Sequence, residues 1–534
     1  MKHILKSVAL LMMVAFGNLS AADVTSKPNI IYVLCDDLGY GDVKCLNPQG
    51  KIATPHMDAL ASKGMIFTDV HSSSSVCSPT RYGIMTGRYN WRTKLQSGVL
   101  GGLSPRLIEQ GRLTTAQLLK NQGYNTACIG KWHLGMDWVK KEGKDVAELN
   151  IESASQVHNV DYSKPIKNGP NSLGFDYYYG ISASLDMVPY TFIENDRVAK
   201  LPSVEKDFPM FLGREKGKCR KGPAAPDFEV EDVLPTLTNK AIDFVKARSV
   251  DAKAGKPFFL YLPLASPHTP IAPTKDWQGK SGLNYYADFV MQTDHSLGLI
   301  LAELDRLGIA DNTLVVLTSD NGCSPQADFP ELLSKGHNPS HLFRGHKADI
   351  FEGGHHIPFI VRWPAMVKPG TKSDQLLCLT DLMATCADIL KVALLANAGE
   401  DSVSFLPALL GQDKSSLREA LVHHSVNGTF AIRQGNMKLL MCKDSGGWSE
   451  PRPGTVKSGM PEVQLFDLSN DIGERINLYD KQSETVKKLT NLLDKYIADG
   501  RSTKGEPQKN EVKVDWKRAT QTKDAGKAKD KTKK

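Results

Sequence analysis

The stretch Asn29-Ile-Ile-Tyr-Val-Leu-Cys35, running straight into Asp36-Asp37, decides the fold. It is apolar throughout rather than alternating, and it stops at two carboxylates. Three later stretches repeat that plan. Asn125-Thr-Ala-Cys-Ile129 runs into Gly130-Lys131-Trp132-His133, and Phe258-Phe-Leu-Tyr-Leu-Pro-Leu264 into Ser266-Pro267-His268. Thr313-Leu-Val-Val-Leu-Thr318 runs into Asp320-Asn321-Gly322. Strands that are apolar at every position bury both faces, which calls for helices on either side of a mostly parallel α/β sheet. Open sheets of that kind place their sites beyond the carboxyl ends of the strands. Residues about 280 positions apart are therefore expected to converge at one edge.

Helical stretches separate these strands. Thr54-Pro55 caps one that reaches Ser62, and others span Leu113–Gln122, Leu234–Arg248 and Tyr286–Leu307, with Gly308 as a stop. The stretch 140–230, with scattered Gly, Pro and charge, reads as insertions over the site. From about 413 short alternating strands around Gly428–Met441, a turn-rich 444–461 and a helix through Glu484–Ala498 predict a smaller antiparallel α+β subdomain. The expected organisation is a signal peptide over 1–22, a catalytic domain over 23–412, the subdomain over 413–500 and a tail over 501–534.

Charge excludes one class of partner. The net charge of +7 looks basic until it is located: residues 501–534 hold twelve Lys/Arg against five Asp/Glu. The body is neutral, with no basic face for nucleic acid, and the Lys-rich, apolar-poor tail is expected to be disordered. Lys2 and Lys6, then an apolar run from Ser7 to Phe16 and small residues to Ala22, read as a cleaved secretory leader. No later segment is long and apolar enough for a membrane span. An exported protein, periplasmic or secreted, is expected. Its nine cysteines include no CxxC pair and do not form a disulfide framework; which of them pair is left open.

The chemistry concentrates in a few residue types. Asp36, Asp37, Asp320 and Asn321 are hard oxygen donors at two strand ends, suited to Ca²⁺ or Mg²⁺ rather than zinc. Lys131, His133, His268 and Lys347 supply cations and proton carriers. Cys77-Ser78-Pro79-Thr80-Arg81 is expected to open a helix, with Ser78 at the N-cap and Pro79 at the first helical position. Cys77 then lies at a helix N-terminus, where free N–H groups favour an anion. Arg81 follows one turn later.

Taken together, these motifs resemble the type I sulfatases of the alkaline phosphatase superfamily. Cys77-Ser-Pro-Thr-Arg81 matches that family's C-x-P-x-R signature, and Gly87-Arg88-Tyr89 with Gly130-Lys-Trp-His-Leu-Gly135 matches its companion. Thr54-Pro55-His-Met-Asp58, Asp320-Asn321-Gly322 and Glu352-Gly353-Gly354 followed by Pro358–Pro364 continue the likeness in family order over roughly 28–480. The resemblance implies that Cys77 is converted to formylglycine, an aldehyde that hydrates to a diol. One hydroxyl attacks sulfur; the second, once deprotonated, expels sulfate by C–O cleavage. It implies a Ca²⁺ site built from Asp36, Asp37, Asp320, Asn321 and residue 77, and a partner in the form of a formylglycine-generating or anaerobic sulfatase-maturing enzyme. Arg81 would steady the hydrate, and Lys131 and Lys347 would bind sulfate oxygens. His133 would deprotonate the second hydroxyl, and His268 would protonate the leaving alcohol. The expected substrate is a sulfated carbohydrate, of 6-O-sulfated galactose or N-acetylgalactosamine type.

One departure stands out. Many relatives have Gly-Gly-hydrophobic-Arg where this chain has Gly353-Gly354-His355-His356. With His337, His341, Arg344 and His346 this makes a His- and Arg-rich segment around Lys347, from which His346 is read as a sugar-binding residue. Two alternatives stay open from sequence: a formylglycine-dependent phosphoester or phosphonate hydrolase, and an inactive sulfated-glycan binding protein with an unmodified Cys77.

Overall fold

Alternate residues along the central strands enter two different cores. Ile31, Val33 and Cys35 join Ile129, Leu260, Leu262, Val315 and Leu317 on one face, while Ile30, Tyr32 and Leu34 join Cys128, Phe259, Tyr261, Leu314 and Val316 on the other. That is the period-2 geometry of a strand, with both faces covered. The computed structural model describes residues 27–214, 217–413, 415–455 and 459–517. The signal peptide expected over 1–22 and the last residues of the tail lie outside them.

Ten strands form the main sheet: β1 (Asn29–Asp36), β2 (Met65–Phe67), β3 (Asn125–Lys131), β4 (Tyr177–Ile181), β5 (Ile193–Glu194), β6 (Arg197–Val198), β7 (Phe258–Pro267), β8 (Thr313–Ser319), β9 (Phe359–Arg362) and β10 (Thr371–Ser373). Their spatial order is β10-β2-β9-β8-β1-β7-β3-β4-β5-β6. The middle five, β8-β1-β7-β3-β4, are parallel. Register pairs Cys35 with Ser319, Asp36 with Pro267 and Lys131 with Ile181, so their carboxyl ends finish together. Gly130 and Gly180 are paired in register, and a Cβ on either would meet backbone oxygen at 1.9 or 1.8 Å. Only glycine lets β7, β3 and β4 close up at the edge that carries Lys131.

Helices α1 (Pro55–Ser62), α2 (Cys77–Thr86), α3 (Thr115–Asn121), α4 (Val233–Lys253), α5 (Tyr285–Leu307) and α6 (Leu382–Ile389) cover the sheet. Helices α1, α4 and α5 pack on the first face; α2, α3 and α6 pack on the second. Gly308, at φ 65°, ends α5 as expected. Strand β4 is an addition to the sequence reading, since it lies within the stretch taken for insertions.

The subdomain is a four-stranded antiparallel sheet, β11 (Leu421–His424), β12 (Phe430–Gln434), β13 (Met437–Leu440) and β14 (Gln464–Asp467), with α7 (Ser483–Ala498). Phe430, Ile432 and Leu439 face α7 through Leu489 and Leu493, whereas Ala431, Leu440 and Phe466 pack on Ile350 and Phe351 of the catalytic part. None of the nine cysteines is in a disulfide.

Two expectations need correction. Helix α2 starts at Cys77, not after Ser78: extended Val76 (φ −146°, ψ 160°) is the N-cap. Pro79 falls in the first turn, where its missing N–H still costs no helical bond, and the Ser78 hydroxyl instead accepts from Leu100 N at 3.2 Å. The tail is not disordered over 501–517. That segment forms a strap along α2's end: Arg88 Nη2 donates to Lys509 O at 2.8 Å, Arg92 Nη1 to Asn510 Oδ1 at 3.0 Å, and Glu511 N to Arg92 O at 2.8 Å. Both guanidinium groups are buried, so carbonyl acceptors matter more than the strap's composition. Hydrogen bonds to charged groups contribute about 1.5–3 kcal/mol each. A chain ending at Gly500 is therefore expected to lose about 3 kcal/mol or more. A chemical denaturation midpoint unchanged by the truncation would show the strap to be incidental.

Candidate active site

The site grows from the five aligned strand ends. β1 delivers Asp36 and then Asp37, whose left-handed φ of 66° turns the chain beyond the sheet. β8 delivers Asp320 and Asn321, with Asp320 N donating to Cys35 O at 3.1 Å. β3 ends in Lys131, followed by His133 at φ 56°, and β7 leads to His268. Helix α2 presents Cys77 in its first turn, with its Sγ 3.8 Å from Asp36 Oδ1. All of these side chains are buried.

Opposite charges face each other in pairs. Lys131 Nζ lies 2.5 Å from Asp36 Oδ2, and Lys347 Nζ 2.8 Å from Asp37 Oδ2. Arg81 donates through Nε (3.0 Å) and Nη2 (2.8 Å) to Asp320 Oδ2 and through Nη1 to Lys131 O (2.8 Å). Burial would raise the Asp36 carboxyl, but Lys131, His268 and Arg81 together hold it well below the usual range. For Asp320 burial and the neighbouring Asp36 outweigh Arg81 and push the carboxyl up to about 6. Burial pushes the Cys77 thiol up to about 12, against the pull of Lys131 and Lys347. An unmodified Cys77 is thus a protonated thiol and a poor nucleophile.

His133 is set up as a base. Burial, then Lys131 and Arg81, hold its imidazole well below the usual range, so it is neutral. Its Nε2 lies 2.8 Å from Leu100 O and must carry the proton that bonds there. Nδ1 consequently bears the lone pair, and it has no partner among the described residues. His268 is fixed by Nδ1 donating to Thr269 O at 2.6 Å, which leaves Nε2 3.7 Å from Asp37 Oδ2.

The donor set fits a hard divalent cation. Ligand atoms of Asp36, Asp37, Cys77 and His268 lie within 4.8 Å of one another. Asn321 gives its Nδ2 to Asp37 Oδ1 at 2.7 Å, leaving a buried Oδ1 with no partner among the described residues. A buried amide oxygen left bare beside carboxylates is what an oxygen-preferring cation requires. Cys77 Sγ occupies the place of the side-chain oxygen that an oxidised residue 77 would offer.

Every residue expected from sequence except His346 is brought together in this way. His346 sits beside Lys347, but its N–H donates to Asp349 Oδ2 at 2.9 Å and its Nδ1 lies 3.0 Å from Lys347 O. Among the described residues no contact ties it to Asp36, Asp37 or Asp320. The sequence reading missed Ser184 and Asp186, which follow the carboxyl end of β4. Ser184 Oγ lies 3.3 Å from both Lys131 Nζ and His268 Nδ1. Asp186 binds Arg220 at 2.8 Å; burial would raise it, but His268 and Arg220 keep it below the usual range. The signal was available: Tyr177–Ile181 also runs into polar residues, like the other four strands.

Comparison with known proteins agrees with this geometry. A family model described as Sulfatase matches residues 28–392. The chain is 34% identical over 506 residues to an N-acetylgalactosamine-6-O-sulfatase of Bacteroides thetaiotaomicron, covering 88% of this chain and 93% of that protein. It is 32% identical to arylsulfatase A of Bos taurus, covering 86% and 85%. A solved structure from work on the metabolism of multiple glycosaminoglycans by Bacteroides thetaiotaomicron superposes with a TM-score of 0.74 at 32% identity, covering 88% of this chain and 99% of that one.

Proposed function

Because the chain belongs to the sulfatase family and is a sulfate-ester hydrolase, we propose that it desulfates a carbohydrate carrying sulfate at O6 of a galactose or N-acetylgalactosamine unit. Its likeness to a relative named as an N-acetylgalactosamine-6-O-sulfatase supports the sugar. The observation that carries the mechanism is the convergence of Cys77, the Lys131–Asp36 and Lys347–Asp37 pairs and the neutral His133 on one sheet edge.

Conversion of Cys77 to formylglycine by a maturation enzyme supplies an aldehyde hydrate, with two hydroxyls on one carbon. Asp36, Asp37, Asp320 and Asn321 would hold Ca²⁺, whose chemistry is Lewis-acid polarisation of bound oxygen. Lys131 and Lys347 stabilise charge gathering on the sulfate oxygens in the transition state. Arg81, held by Asp320 and Lys131 O, keeps the base of the site rigid. Asp320 accepts a proton from the attacking hydroxyl. His133 Nδ1 takes the proton of the second hydroxyl, and His268 gives one to the departing sugar oxygen. Among the described residues no helix is long and apolar enough to cross a membrane. Export, to the periplasm or beyond, belongs to this proposal through the leader-like first residues.

The deciding experiment is peptide mass spectrometry across residue 77 on natively produced protein, with sulfate release from 6-O-sulfated and 4-O-sulfated sugars and phosphate release from matched phosphoesters. A peptide that has lost H₂S and gained O, with preference for the 6-O-sulfate, is expected. Unmodified Cys77 would leave a glycan-binding protein; faster phosphate release would make it a phosphoesterase. Dialysis against a calcium chelator is expected to abolish turnover reversibly. Restoring calcium to about 100 times its Kd should recover about 2.7 kcal/mol of stability. A chelated protein with unchanged turnover and midpoint would exclude the metal.

A further inference from the structure

A second cluster of histidines lies where the catalytic part meets the C-terminal sheet, and the reaction above does not use it. His71 precedes the loop to Cys77, His355 ends the turn Glu352–His355 shortly after Lys347, and His423 lies on β11. All three are fully buried. One ring nitrogen from each lies within 4.8 Å of the other two. We propose that His71, His355 and His423 form a site for a zinc-like divalent cation that fastens the C-terminal sheet to the wall of the active site.

The far nitrogens of all three rings face acceptors. His71 Nε2 meets Asp69 Oδ1 at 2.8 Å, His355 Nε2 meets Ile350 O at 3.1 Å, and His423 Nδ1 meets Ser72 O at 3.2 Å. Metal-ligating imidazoles typically give their outer N–H to a carboxylate or a backbone carbonyl, and here all three can do so. The near nitrogens are then His71 Nδ1, His355 Nδ1 and His423 Nε2. The first two are 3.0 Å apart, sharing a hydrogen bond whose proton a cation would displace, at close to the separation of about 3.3 Å that tetrahedral zinc–imidazole bonds impose. The third has no hydrogen-bond partner among the described residues. A buried ring nitrogen without a partner is a cost that a cation would remove.

The surrounding charges are compatible. Glu352 Oε2, 3.9 Å from His71 Nδ1, is placed to complete the coordination while also meeting His356 Nδ1 at 2.9 Å. Lys438 Nζ lies 3.0 Å from His355 Nε2, and it remains paired with Glu352 (2.9 Å) and Glu474 (2.8 Å) when that nitrogen carries the proton. Arg433 Nη1 lies 3.0 Å from His71 Nε2 and is paired with Asp69 at 2.7 Å. Burial keeps all three imidazoles below their ordinary range, hence neutral and able to ligate. Ligation turns one of the stacked rings, His355 or His423 (centroids 3.8 Å apart), about its Cβ–Cγ bond and shifts that ring's outer contact, to Ile350 O or to Ser72 O. Three imidazole nitrogens favour zinc over the oxygen-seeking cation of the catalytic site.

The test is elemental analysis of tag-free, calcium-saturated protein after equilibrium dialysis against micromolar zinc, with His423→Gln alongside. About one bound zinc per chain is expected, with affinity at least about 100-fold lower in His423→Gln and calcium content unchanged. Wild type that takes up no zinc, or a folded His423→Gln that binds it equally, overturns the proposal. Should His423→Gln fail to fold, cobalt titration of wild type decides. Intense d–d bands of four-coordinate nitrogen ligation, retained in His268→Ala, support the site, and bands lost in His268→Ala or absent altogether overturn it.

Discussion

Cys77→Ala is expected to lower sulfate release by about 10⁵-fold or more, the scale on which nucleophile removal acts in hydrolases. The structure offers no replacement. Ser184 is committed to Lys131 and His268, and the nearby carboxylates are committed to Lys131, Lys347 and Arg81. Losing one small buried atom group should cost about 1 kcal/mol of stability, so the variant remains folded. Lys131 and Lys347 also remain, so it should still bind a sulfated sugar, measurable by calorimetry. Turnover within about 100-fold of wild type would mean that residue 77 is not the attacking group.

His268→Ala should separate substrates by their leaving groups. A sugar alkoxide leaves poorly without a proton, whereas an activated aryl oxide leaves unaided. Loss of a general acid costs about 10²–10⁴-fold where proton transfer matters. We therefore expect about 10³-fold on a sugar sulfate and about 10-fold on an activated aryl sulfate. The Nδ1 contact to Thr269 O holds the ring so that Nε2 is the nitrogen left to carry the transferred proton. Equal losses on both substrates would assign His268 to binding or positioning.

The sheet and most of the site were legible because parallel strands must be apolar on both faces. The chain therefore announces each carboxyl end by an abrupt change to polar residues, as at Cys35–Asp36 or Ile129–Lys131. Strand β4 escaped because Tyr177-Tyr-Tyr-Gly-Ile181 is short, aromatic and interrupted by a glycine whose purpose, room for the paired Gly130, appears only across the sheet. The start of α2 was misplaced by two residues because Ser and Pro are good starting residues in isolation. Here the extended Val76 sets the start, and Ser78 is spent on Leu100. The strap over 501–517 was invisible in composition because it is held largely through backbone carbonyls, which every residue has. The histidine cluster was half visible: His355 stood out, but its partners His71 and His423 lie 284 and 68 positions away and meet only in three dimensions.

The strap carries a consequence for the order of events. Arg88 and Arg92 follow directly on the signature helix, and their buried N–H groups find acceptors in Lys509 O and Asn510 Oδ1, 421 and 418 positions later. A chain that emerges amino end first cannot seal this region until residues 509–511 have been made. Cys77 is 3% exposed once the fold closes. Access to that thiol is therefore open only for a time window, and the strap determines when it shuts.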